Sequence, residues 1–90
     1  MDYKYLHKVI EQIVSETRID RDERKIYTPF SFIYGGEMKL SIWNYSHFDL
    51  KFPPHYFDHH CKEVYGLNDD EIDYVWTNYQ RIIRDKRDEK

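Results

Sequence analysis

The chain has a single cysteine, Cys61, in its 90 residues. One thiol cannot close an internal disulfide, so folding needs no oxidising compartment. No apolar run approaches the roughly 18 residues that a membrane-spanning helix requires. The opening MDYKYLHKV lacks the apolar stretch and small-residue cleavage site of a secretory signal. These absences give a soluble, cytoplasmic chain with no membrane partner as the expectation. Alanine is missing altogether, while Tyr, Ile, Lys and Asp abound. That is the codon bias of an AT-rich genome, a kind frequent among phages and mobile elements.

What is present is a globular composition, 40% hydrophobic and 34% charged, too apolar for a disordered chain. The length makes residues 1–90 one domain. A domain of this size buries only roughly 60–65% of its unfolded surface, so it has one core and little spare stability. Nine Tyr, five Phe and two Trp are a heavy aromatic load for such a core. Each ring buries on the order of 150–250 Å². A few rings fill the interior, and others are expected at the surface. The net charge of −3 neither demands nor excludes a charged partner.

Leu6, Val9, Ile10, Ile13 and Val14 fall at helical spacing, so an amphipathic helix is expected from about Tyr3 to Thr17. Four acids and four bases in Glu16–Lys25 read as a solvated connection. The period then becomes two. Phe30, Phe32 and Tyr34 alternate with polar or opposite-face residues, as do Met38, Leu40 and Ile42 after Gly35-Gly36. This predicts a hairpin. HFDLKF, His47 to Phe52, alternates again and predicts a third strand, ended by Pro53-Pro54. A three-residue loop, Gly35-Gly36-Glu37, pairs Phe32 with Leu40 and makes one sheet face wholly apolar. That register sends Tyr27, Pro29, Ile33, Trp43 and Tyr45 to the other face, as an exposed aromatic patch. Tyr56 to Tyr65 reads as a short helix stopped by Gly66. Asn68 with Glu71 has the form of a capping box, opening a helix whose stripe is Ile72, Val75, Trp76, Tyr79, Ile82 and Ile83. The expected fold is α+β, in the order α-β-β-β-α-α, with a three-stranded antiparallel meander packed against helices.

The stretch HYFDHHCKEVYGLNDDEIDYVW, His55 to Trp76, carries three chemical readings. His55 and His59 lie one helical turn apart with Asp58 beside them. HYFDH resembles the H-x-x-E-H motif of the inverzincins, with Asp in place of the Glu base, and two such imidazoles suit a zinc tetrahedron. No third ligand stands at a recognisable spacing. Second, Cys61, Tyr65, Gly66, Leu67, Ile72 and Val75 resemble a repressor-type helix-turn-helix, which implies duplex DNA. The stretch departs from it at Lys62, where a small residue is usual, and in charge. From Pro53 to Gln80 there are six acids and one Lys, giving −5, whereas DNA affinity comes largely from Lys and Arg on phosphates. Duplex DNA is therefore disfavoured. Third, Phe57, Cys61, Val64 and the Ile72–Ile83 stripe simply pack on the sheet, which explains the most with the least.

No glycine-rich phosphate loop occurs, no carboxylate stands in an apolar run, and Cys61 falls on the expected core face. No catalytic constellation and no cofactor are expected. Arg81, Arg84, Lys86, Arg87 and Lys90 form a basic end, five bases against three acids. The element order is similar to that of the double-stranded-RNA-binding domain, but acids occupy the start of the last helix where that family is Lys-rich. The leading expectation is a non-catalytic protein-binding domain. Trp43, Tyr27, Ile33 and Tyr45 would make the contact, with Asp69, Asp70, Glu71 and Asp73 as an electrostatic rim. The same face suits a homodimer. The alternatives are RNA or single-stranded nucleic acid held by exposed rings and the terminal arginines, and a metal at His55, Asp58 and His59.

Overall fold

The structure is a computed structural model, and it describes residues 1–89; Lys90, counted above in the basic end, lies outside them. Helix α1, Tyr3–Ser15, starts where the Asp2 carboxylate accepts the Tyr5 N–H, and it buries the Leu6, Val9, Ile10 and Ile13 stripe. Three strands follow: β1 Arg18–Asp20, β2 Lys25–Tyr34 and β3 Glu37–Asn44. A 3-10 turn at Tyr45–His47 leads through an irregular segment to α2, His55–Tyr65. Gly66 ends α2 in the left-handed region at φ 66°. Helix α3, Asp69–Asp88, opens with the capping box: Asn68 accepts the Glu71 N–H, and Glu71 accepts the Asn68 N–H, both at 2.9 Å. The order is α-β-β-β-α-α and the fold is α+β. Among the described residues no helix is long and apolar enough to cross a membrane.

The sheet is an antiparallel meander in the order β1-β2-β3. All three helices lie on one side of it, with α1 packed on α3 and α2 between α3 and β2. The domain measures 38 × 37 × 22 Å, which is the thickness of two layers. Its core is a knot of rings. Phe57 of α2 sits 4.8 Å from both Phe30 of β2 and Trp76 of α3, edge to face. Phe48 and Tyr79 close the group, Phe48 lying 6.0 Å from Trp76 and Tyr79 lying 5.6 Å from Phe30. Edge-to-face pairs at such separations add to the gain from area burial alone. The Tyr79 hydroxyl is matched by Thr17 Oγ1 at 2.8 Å, which ties the end of α1 to α3.

Three features differ from the sequence expectation. Arg18–Asp20, inside the expected solvated connection, is strand β1: Ile19 turns inward opposite Ile26, while Arg18 and Asp20 turn out. The expected strand His47–Phe52 does not form. There the Leu50 N–H donates to Gln80 Oε1 at 2.8 Å, and the Leu50 carbonyl accepts Trp76 Nε1 at 3.1 Å. With both groups taken by α3, no ladder can use them. The third difference is the hairpin register. Its loop has two residues, Gly35 and Gly36, both at positive φ (60° and 80°), as a type I′ turn requires. Tyr34 faces Glu37, Ile33 faces Met38, Phe32 faces Lys39 and Ser31 faces Leu40. Farther down, Thr28, Pro29 and Phe30 stand against Ser41 alone before pairing resumes at Tyr27 and Ile42. Pro29 has no N–H to give the ladder, so the bulge falls where a bond would be missing anyway. Thr28 Oγ1 fills the gap, donating to the Ser41 carbonyl at 3.0 Å.

The Leu50 clamp yields a stability prediction. Gln80→Ala leaves the Leu50 N–H without its partner and lowers unfolding free energy by about 1–3 kcal/mol in urea titration. An unchanged midpoint would show that the segment before α2 is not held from α3.

Candidate functional site: the uncovered face of the hairpin

Side chains alternate across a strand, so the register decides what each face carries. Ile26, Thr28 and Phe30 of β2 and Ser41 of β3 are buried on the helix side. Tyr27, Ser31 and Ile33 of β2, with Met38, Leu40 and Ile42 of β3, lie on the side with no helices. Ile33 and its partner Met38 are each 75% exposed, Leu40 59% and Ile42 55%. These four alone present on the order of 500 Å² of apolar surface, at the upper end of the largest patch that a monomer usually carries. No charged side chain interrupts the face between Tyr27–Ile42 and Ile33–Met38. Charge begins at its β1 end, where the Arg18 guanidinium lies 4.2 Å over the Tyr27 ring and 3.7 Å from Asp20.

The expected site residues are scattered by this geometry. Tyr27 and Ile33 stand on the uncovered face. Trp43 does not: it faces the helices, with its ring 5.6 Å from Phe48 and 6.1 Å from Tyr56. Tyr45 sits in the 3-10 turn, packed against the core with its Oη buried and unpartnered. The aromatic patch expected from a three-residue loop is therefore an aliphatic one. Met38, Leu40 and Ile42, assigned from the sequence to the core, are its centre; the Gly35-Gly36 pair, the usual mark of a two-residue hairpin, was the signal for it.

The acidic turn belongs to the helix layer. Asp69 pairs with Lys62 at 3.1 Å, Glu71 is engaged in the capping box, and Asp70 and Asp73 are exposed. Lys62 is also 3.3 Å from Asp58, and its hydrogen bonds to Asp69 and Asp58 raise its pKa. Asp58 thus turns to a lysine. His55 and His59 line an open groove of about 460 Å³ with Phe32, Ile33, Met38 and Tyr56. Among the described residues no three His, Cys, Asp or Glu side chains are gathered to hold a metal ion. Burial, with the Asp58 charge, pushes the Cys61 thiol up to about 12, so it is not a nucleophile at neutral pH. At the basic end, Arg84 binds Asp49 at 2.7 Å and Arg87 donates to the Tyr45 carbonyl at 2.9 Å. Arg21 donates to the carbonyls of Lys86, Arg87 and Glu89 and caps α3.

Comparison with protein-family models, curated proteins and solved structures finds no match, so the site is read from its own residues.

His60, one position beyond the groove histidines, packs edge-on to Phe30 at 5.2 Å and Tyr65 at 5.8 Å, and its Nε2 has no partner. Burial lowers its pKa below the ordinary 6.5, against an upward pull from Glu16 and with a further lowering by His59. The unfolded chain then takes up this proton at higher pH than the folded chain does. The stability involved is complete above pH 6.5 and declines as pH falls below it. The urea midpoint is expected to drop between pH 7.5 and 5.5, and His60→Phe is expected to flatten that drop. An identical slope in the variant would remove His60 as the cause.

Proposed function

We propose that this chain is a small non-catalytic protein-binding domain, of the inhibitor, adaptor or immunity-factor kind. Its alanine-free, AT-biased composition fits a phage or mobile-element origin. The observation that carries the reading is the uncovered hairpin face, where Ile33, Met38, Leu40 and Ile42 stand in water. Exposing such a continuous apolar surface lowers solubility without helping the core, so its presence points to a contact. Tyr27, Ile33, Met38, Leu40 and Ile42 form that contact. The acidic turn of α3 is not contiguous with it and acts in helix capping.

Two observations favour protein over nucleic acid. The face is aliphatic apart from Tyr27, so it offers no succession of rings on which bases can stack. Arg84, Arg87 and Arg21 spend their donors inside the molecule. Trp43 is unsuited as a probe, because truncating a ring packed on Phe48 and Tyr56 disturbs the core.

The test is capture from a nuclease-treated lysate of the native host, with tagged wild type beside Leu40→Lys. Wild type is expected to retain a protein, and the variant to retain at least ~10-fold less, as for loss of a central apolar contact. Equal capture by both would sink the reading, and retention that vanishes with nuclease would redirect it to nucleic acid.

A further inference from the structure

Resting on that reading, we propose that the partner of this face is a second copy of the chain, stacked face to face across the two hairpins. Area is the first argument. With Tyr27 and Ser31 included, two such faces remove on the order of 1,000–1,200 Å² from water, which reaches the lower bound of a specific interface. Charge is the second. The chain carries −3, and two copies repel in general. Yet the centre of this face is uncharged, and the acids Asp69, Asp70, Glu71 and Asp73 lie in the helix layer, away from the contact. The arrangement has the apolar centre and, at its β1 end, the charged margin of a subunit interface.

Symmetry is the third argument. The patch runs from the Tyr27–Ile42 pair to the Ile33–Met38 pair, with Ser31–Leu40 midway. A two-fold axis through the middle stacks the Leu40 side chains near one another and sets the Ile42 end of each copy on the Ile33–Met38 end of the other. Sheets packed in this way lie about 10 Å apart. The same axis brings the base of one ribbon over the tip of the other. Arg18 and Asp20 offset each other at the base, and among the described residues Lys25 has no ion-pair partner. At the tip Glu37 turns with Ser41 and Trp43 to the helix side, so no charge on the contact face there opposes the Lys25 of the other copy. A foreign partner would need none of this apolar self-complementarity.

A second copy can also meet the outer edge of β3, to which no strand is paired among the described residues. In a two-residue hairpin the Tyr34–Glu37 and Phe32–Lys39 pairs are hydrogen-bonded, so the backbone groups of Leu40 point to that edge. Ile33 lies one strand away from it. This separates the two geometries.

The experiment is sedimentation velocity on the full chain, from low to high micromolar, with wild type, Ile33→Lys, Leu40→Lys and Leu40→Pro. Circular dichroism and thermal melts check folding. All the substituted positions are more than half exposed. Wild type is expected at twice the 11.2 kDa of one chain. Ile33→Lys and Leu40→Lys are each expected to weaken self-association by at least ~30-fold. A wild-type dimer that survives Ile33→Lys but is lost in folded Leu40→Pro overturns the stacked arrangement in favour of edge pairing. A wild type that stays monomeric throughout overturns self-association; in that case the binding reading stands if Leu40→Lys still loses lysate capture, and falls if it does not.

Discussion

The two-residue turn at Gly35-Gly36 decides on which side of the sheet every residue of β3 stands. Both glycines hold positive φ, which an ordinary residue adopts only at a cost of roughly 1–2 kcal/mol. Once Tyr34 is set opposite Glu37, Ser41 and Trp43 must turn to the helices, and Met38, Leu40 and Ile42 must turn to water. A turn one residue longer would exchange these sets. The bulge at Pro29 respects the same constraint. It inserts two extra residues into β2, an even number, so the faces stay in phase on either side of it. A single extra residue would have put the lower half of the hairpin at odds with the upper half.

The covered side is occupied by five rings, Phe30, Phe48, Phe57, Trp76 and Tyr79, drawn from β2, α2, α3 and the segment between β3 and α2. They are large enough to complete a core with only one face of a small sheet. Three helices are consumed in the process, α1 and α2 each packing against α3 or the strand beneath it. Among the described residues no helix packs across the other face, and α2 only borders it at the groove beside Ile33 and Met38. The Leu50 clamp belongs to the same economy: the side chains of Gln80 and Trp76 serve both as core and as backbone partners for a stretch without a ladder. The bare hairpin face is thus the direct result of a single-core, two-layer build.

Much of this fold was legible in the sequence. The Leu6–Ile13 stripe, the Asn68–Glu71 capping box, the Gly66 stop and the helical spacing from Ile72 to Ile83 are local signals, and each formed the element it announced. The rest depended on nonlocal competition. The alternation in HFDLKF is real, but only Phe48 turns inward, because α3 takes the Leu50 backbone. Arg18–Asp20 is too short to show a period and owes its pairing to Ile26. Val64 carries the apolar character of α2 past the edge of the core and is exposed. For the candidate site, Tyr27 and Ile33 were placed on the open face from the sequence, whereas Trp43 and Tyr45 were displaced from it and Met38, Leu40 and Ile42 were missed. One choice of loop length accounts for most of that, since it carried the whole of β3 with it.

The most direct test of the account is therefore the hairpin register, read from cross-strand proton contacts in the nuclear magnetic resonance spectrum. The account predicts close backbone contacts between Tyr34 and Glu37, between Phe32 and Lys39, and between Tyr27 and Ile42. Contacts joining Tyr34 with Met38 and Phe32 with Leu40 would contradict it, because Met38, Leu40 and Ile42 would then be core and the hairpin would present no apolar face.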